Sequence, residues 1–137
     1  MQLIIRTDGG SRGNPGPAGI GVVIEDGVSG EVLEQHAEYL GRTTNNQAEY
    51  KAVILGLTRC LSLGAKEVEV YADSELLIKQ ANGDYRVKNP DIALRFEEMK
   101  RLERAIGNVS YHHVRREYNK AADALANQAM DEGMKNR

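Results

Sequence analysis

Short apolar runs, broken at intervals by glycine and proline, set out an order of strands and helices along the chain. Residues 2–8 carry Leu3, Ile4 and Ile5, an apolar run that predicts a buried strand. Gly and Pro dominate 9–17 (GGSRGNPGP), which predicts a turn, and 18–26 (AGIGVVIED) predicts a second strand. Gly27 and the Ser29–Gly30 pair turn the chain into a third, loosely alternating strand over roughly 31–40. Strands joined by such short turns pair antiparallel.

Helical spacing takes over at 47–62, where Ala48, Ala52, Leu55 and Cys60 help line one apolar face. Asn45 or Asn46 supplies a cap, Asn46 and Glu49 have the spacing of a capping box, and Gly64 suits the residue just past the helix. EVEVYAD at 67–73 alternates as a strand, and Ser74 caps a short helix that stops near Gly83. Pro90 opens a longer helix to about Ile106, with Phe96, Met99 and Leu102 inward. VSYHHV at 109–114 is the fifth strand, and Asn119 begins the last helix. The polar end, from about 130 to 137, is expected to fray. The order β-β-β-α-β-α-α-β-α predicts an α/β fold, a single domain over 1–137 with a mixed sheet and helices on its faces. Ligands in such sheets gather at the carboxyl ends of parallel strands, where Asp8 and Asp73 both fall.

Composition narrows the function classes. A chain of 137 residues with 41% hydrophobic and 28% charged positions reads as soluble and globular. The longest apolar stretches, such as AVILGL at 52–57, are too short to span a bilayer, and MQLIIRTD turns polar too early for a secretory signal. A cytoplasmic location without membrane association is the expectation. Cys60 is the only cysteine, which excludes a disulfide framework and a cysteine metal site. A net charge of −2 and a pI near 5.9 weigh against a nucleic-acid binder, which is often basic. Carboxylates gathered around metal ions would lower that count without touching the rest of the surface. The basic residues from Arg95 to Arg104, then Arg115, Arg116 and Lys120, read as solvated helix faces.

Four acids stand in four settings: Asp8 in TDGG, Glu49 in NNQAEY, Asp73 in YADSE and Asp123 in KAADALAN. None neighbours another in sequence, so only the fold can gather them. A gathered set is too negative to exist bare, and its hard oxygen donors suit Mg²⁺ or Mn²⁺. That combination points to metal-assisted phosphoryl chemistry. Each acid also has an ordinary structural role open to it: Asp8 as a turn former, Glu49 closing a capping box, Asp73 at a helix N-terminus, Asp123 on a helix surface.

TDGGSRGNPGPAGIG, TTNNQAEYKAVILGL, VYADSELLIKQ and REYNKAADALAN, in this order, resemble the four motif blocks of type 1 ribonuclease H over nearly the whole chain. The resemblance implies a ribonuclease H-like fold, a five-stranded sheet of three antiparallel strands and then two parallel ones, flanked by helices. It implies an endonuclease that hydrolyses the RNA strand of RNA/DNA hybrids and leaves 5′-phosphate and 3′-hydroxyl ends. Two Mg²⁺ or Mn²⁺ ions would be held by Asp8, Glu49, Asp73 and Asp123, with Asp8 between them. A monomer is expected. Action on double-stranded RNA as well, and a catalytically weak hybrid-binding module, stay open as alternatives. Telling RNA from DNA means reading the 2′-hydroxyl, which suits the amides Asn14, Asn45, Asn46 and Gln47. Asn14 is also similar to a family residue on the DNA strand, and Arg42 and Thr44 to the family's phosphate pocket. Gly9 and Gly10 let the RNA backbone approach. Asn45 serves equally well as a plain helix cap.

The chain departs from the family pattern in three places. Glu75 stands where many members have Gln, and a carboxylate cannot donate to a 2′-hydroxyl, so the contact there is altered. The segment VRREYNKAAD lacks the loop His of many members. His112 and His113 lie on the fifth strand and read as structural, leaving Arg115, Arg116 or Glu117 as candidates to assist instead. Only NGDYRVKNP separates the two middle helices, so the basic protrusion is absent and a shallower salt dependence of hybrid binding is expected. Tyr85, in that link, either packs against DNA sugars or anchors the loop.

Overall fold

The computed structural model describes residues 1–135. Its strands are β1 (Gln2–Ser11), β2 (Gly16–Asp26), β3 (Val32–Thr43), β4 (Glu67–Ala72) and β5 (Asn108–His113). Its helices are α1 (Asn45–Ser62), α2 (Glu75–Ala81), α3 (Pro90–Ile106) and α4 (Lys120–Lys135), with a short 3₁₀ turn at Arg116–Tyr118. The sheet order is β3-β2-β1-β4-β5. β1 pairs antiparallel with β2, and β2 with β3, while β1–β4 and β4–β5 are parallel. β1 is thus the central strand, where the antiparallel and parallel halves meet.

Alternation along β1 buries Leu3, Ile5 and Thr7 and leaves Ile4, Arg6 and Asp8 on the other face. Leu3 and Ile5 join Val22, Ile24, Val68 and Val70 in a core closed by Ala52, Val53 and Leu57 of α1 and by Met99 and Ile106 of α3. Helix α4 covers the opposite face over β2, β3 and β1. Helices on both sides explain why β2 is buried almost throughout, without the alternation of a half-exposed strand. The close seat of α4 depends on two glycines. A Cβ at Gly21 would stand 2.7 Å from the Ala126 nitrogen, and one at Gly19 would stand 2.8 Å from the Ala126 oxygen. No helix among the described residues is long and apolar enough to cross a membrane.

The expected element order holds, and several boundaries move. The glycine-rich stretch is mostly strand: Gly9, Gly10 and Ser11 pair with Ile20, Gly19 and Ala18, so the turn shrinks to residues 12–15. Gly9 is needed there for contact, since a Cβ would lie 2.7 Å from the Glu49 amide nitrogen of α1. The cap of α1 is Thr44, whose hydroxyl accepts from the Gln47 N–H at 3.2 Å. Asn45 and Asn46 lie inside the first turn, so the expected Asn46–Glu49 capping box does not form and Glu49 is free to face elsewhere. Gly64 closes α1 at φ +84°, with Ala65 N–H donating to the Cys60 carbonyl and Gly64 N–H to that of Leu61, a Schellman arrangement. The end expected to fray from 130 is helical to Lys135, with Met130 buried; residues 136 and 137 of that expectation lie outside the described residues.

Gly21→Ala should therefore cost about 1–3 kcal/mol by forcing α4 off the sheet. Urea unfolding measures it, and a wild-type midpoint would show that the helix–sheet gap yields more easily than its geometry indicates.

Candidate active site

Each of the four acids is delivered by a different element. Asp8 lies on the central strand β1, Glu49 on the second turn of α1, Asp73 directly after β4, and Asp123 in the first turn of α4. All four line one cleft of about 630 Å³ at the carboxyl ends of the parallel strands. Asp8 is the most perturbed. Burial, then the charges of Asp73 and Asp123, push its carboxyl from 3.8 up to about 8. Burial also raises the Glu49 carboxyl, and the Ser74 hydroxyl, hydrogen-bonded to it, pulls the other way. Ser74 therefore has two duties, since its oxygen also accepts from the Leu77 N–H at 3.2 Å as the cap of α2.

One side chain ties the start of α4 to β1 beside these acids, and another faces Asp123. Asn119, which is buried, donates from Nδ2 to the Thr7 carbonyl at 2.9 Å, and its own carbonyl accepts from the Asp123 N–H at 3.1 Å. Arg116 Nη2 lies 3.8 Å from Asp123 Oδ1, and Arg115 and Arg116 both line the cleft. Glu117 instead faces Arg115 at 4.0 Å and is not among the lining residues.

Among the described residues, no three His, Cys, Asp or Glu side chains are grouped closely enough to hold a metal ion as they stand. The donor set nevertheless fits a divalent cation. Its donors are hard carboxylate oxygens facing one cleft, and burial, with the neighbouring acids second, leads Asp8 to hold a proton that a cation would displace.

A second cleft of about 660 Å³ is lined by Asn14, Thr43, Thr44, Asn46, Gln47, Lys51, Asn89, Asp91, Ile92, Leu94 and Arg95. The N-termini of α1 and α3 both open onto it. Asn45 lines the first cleft and is tied to the β1–β2 hairpin: its Oδ1 accepts from the Ser11 N–H at 2.7 Å, and its N–H donates to Asn14 Oδ1 at 3.1 Å. The buried Asn46 Oδ1 has no partner among the described residues.

The structure thus brings Gly9, Gly10 and Asn45 to the acids, and Asn14, Thr44, Asn46 and Gln47 to the second cleft. Three expected contacts lie in neither. Arg42 is exposed on β3, Glu75 is exposed and faces Lys79 at 3.6 Å, and Tyr85 lies under Lys79 Nζ. Tyr85 is 48% exposed, which removes the buried-anchor reading. The histidines separate. His112 stacks on Tyr71 at 4.9 Å, a structural role, whereas His113 is exposed and lines the acidic cleft, against the structural reading of the pair. Arg12, Asn127, Lys51, Asn89 and Arg95 were not singled out as site residues. Lys51 was within reach, one helical turn after Gln47; the others depend on packing between distant segments.

A mixed sheet in this order, with acids at its carboxyl edge, is a ribonuclease H-like fold, and solved structures agree. LC11-RNase H1, solved in complex with an RNA/DNA hybrid, is 44% identical with a TM-score of 0.91, covering 96% of this chain and 99% of that one. The family model described as Reverse transcriptase-like matches residues 6–129. Ribonuclease HI of Halobacterium salinarum is 42% identical over 125 residues, 91% of this chain and 62% of that protein. Bifunctional protein Rv2228c of Mycobacterium tuberculosis is 43% identical over 131 residues, 96% of this chain but only 36% of that protein. The chain therefore spans about a third of the length of its mycobacterial relatives. It belongs to the type 1 ribonuclease H family, in a compact form without the basic protrusion or the loop histidine.

The Asp8 carboxyl gives a pH prediction. The native state keeps a proton that the unfolded chain releases, so metal-free stability should fall as pH rises from about 4 to about 8. The rise in unfolding temperature on adding Mn²⁺ should grow over the same range, and Asp8→Asn should abolish the decline. A Mn²⁺ effect independent of pH, followed by scanning fluorimetry, would show Asp8 already ionised in the native protein.

Proposed function

We propose that this chain is a metal-dependent endonuclease that hydrolyses the RNA strand of RNA/DNA hybrids, leaving 5′-phosphate and 3′-hydroxyl ends. The observation that carries the reading is a cleft of four carboxylates and a second, amide-lined cleft, with Asn45 bonded to a lining residue of each, Ser11 and Asn14. Asp8, Glu49, Asp73 and Asp123 would hold two Mg²⁺ or Mn²⁺ ions, which when bound activate the attacking water and neutralise the leaving oxygen. Asp8, with Asp73 and Asp123 as its acidic neighbours, would be among the carboxylates that hold them. Ser74 steadies Glu49 through its hydroxyl.

The second cleft suits the DNA strand. Two helix N-termini turn their positive dipole ends toward it, which favour phosphate. Asn89 spends its Oδ1 on the Asp91 and Ile92 N–H groups, which leaves Nδ2 to donate to a ligand. Lys51 and Arg95 add charge. On the RNA side, a Cβ at Gly10 would meet only Asn45 Oδ1 at 3.7 Å, so the strand edge there is open to a sugar-phosphate backbone.

Labelled RNA/DNA hybrid, double-stranded RNA and double-stranded DNA, each with Mg²⁺, Mn²⁺ or EDTA, test this. Hybrid should be cut with either ion, and cutting that survives EDTA would sink the proposed chemistry. Asp8→Asn should be folded and inactive. His113→Ala should slow cleavage by about tenfold or more if the cleft-lining imidazole serves the reaction, and an unchanged rate would return it to the surface.

A further inference from the structure

We infer that Arg12 and Asn127 form a strut that sets Asp123 against Asp8, which makes Arg12 a positioning residue for the cation site; the inference rests on the reading of that site given above. Asp123 rides on α4, and Asp8 on β1. The seat between α4 and the sheet is close: Ala122, Leu125, Ala126, Ala129 and Met130 lie against Gly19 and Gly21. That contact sets the height of α4 over the sheet, and polar contacts tie the helix to β1 and its turn.

Two polar links hold Asp123, one through its N–H and one through its carbonyl. On the amide side, Asp123 N–H donates to the Asn119 carbonyl, and Asn119 Nδ2 to the Thr7 carbonyl beside Asp8. On the carbonyl side, Asn127 Nδ2 donates to the Asp123 carbonyl at 3.0 Å, and Asn127 Oδ1 accepts from Arg12 Nη2 at 3.3 Å. Arg12 Nη1 is anchored in turn by Asp131 Oδ1 at 2.6 Å. The backbone of Arg12 is fixed in the β1–β2 hairpin, its N–H donating to the Pro17 carbonyl at 2.8 Å. Strand β1 and its turn therefore hold Asp123 from both sides.

Arg12 also lines the acidic cleft, which offers a competing role as a phosphate contact or a mere counter-charge. Its guanidinium is already committed to Asp131 and Asn127 on α4, which favours the strut. The sign of one measurement separates the two. Removing a cation beside four carboxylates should, by charge alone, strengthen the binding of a divalent ion. Losing the strut should weaken it.

Mn²⁺ binding is to be measured by titration calorimetry on the whole chain, wild type against Arg12→Leu, Arg12→Lys and Asn127→Ala. Arg12→Leu should bind Mn²⁺ roughly tenfold more weakly, the usual cost of losing a group that orients a ligand. Arg12→Lys keeps the charge but lacks the second arm, and should be as weak. Asp131→Asn removes an anion and should weaken binding on either reading, so Asn127→Ala, which changes no charge and cuts the link to Arg12, should lose affinity in the same direction and carries the test if the Arg12 variants fail to fold. The Mn²⁺ needed for half-maximal cleavage should rise in step, with KM for hybrid unchanged. Equal or tighter Mn²⁺ binding in Arg12→Leu, wild-type affinity in Arg12→Lys, or a raised KM with Mn²⁺ affinity intact would each overturn the strut. A wild-type protein that binds Mn²⁺ but cuts no hybrid would overturn the proposed function and leave the strut standing.

Discussion

Repulsion among carboxylates is the constraint around which this chain is arranged. Asp8, Asp73 and Asp123 are near enough for burial and mutual charge to move the Asp8 carboxyl to about 8, far from where a free aspartate would sit. Left to itself, a chain would keep such groups apart in water. They are held together by features with no charge of their own: the parallel register of β1 and β4, the Gly9 contact with α1, and the close seat of α4 on Gly19 and Gly21. The core stabilises the assembly, and the acids draw on that stability. Strained electrostatics of this kind mark functional sites more often than structural ones.

Much of this was legible in the linear chain, and what was hidden has a common cause. Element order and type follow from local periodicity, so β4, α1 and α3 fall close to their expected limits. The four acids were legible because each sits in a distinctive local block. The stretch from Gly9 to Ser11 was misread as turn because its strand character comes from pairing with β2, not from its own composition. Thr44 rather than Asn45 caps α1, a choice between adjacent good caps that local propensity cannot rank. Arg42 and Glu75 were placed by resemblance alone, and their side chains lie outside both clefts. His113 was read as structural from its strand position. At the last residue of β5 that rule weakens, because the strand ends there, still paired with Ala72, and the side chain is exposed at the cleft.

The compact form has a physical logic too. Without a protruding basic arm, the cations lining the second cleft are Lys51 and Arg95, beside the dipole ends of two helices and the side-chain amides of Asn14, Asn46, Gln47 and Asn89. Neutral amides recognise shape and hydrogen bonds more than charge. A protein with net charge −2 can thus keep locally cationic, hydrogen-bonding ground on a surface that is otherwise not basic.

The placement of Asp123 on α4 has a consequence for timing. Asp8 belongs to the first strand and Asp123 to the last helix, so the site spans nearly the full described length. During synthesis the sheet and its inner helices can form while the face bearing Gly19 and Gly21 is still bare. The fourth carboxylate arrives only when α4 docks there and closes the outer layer. The chemistry is thereby withheld from a half-made chain, and the event that completes the layers is the same event that arms the cleft.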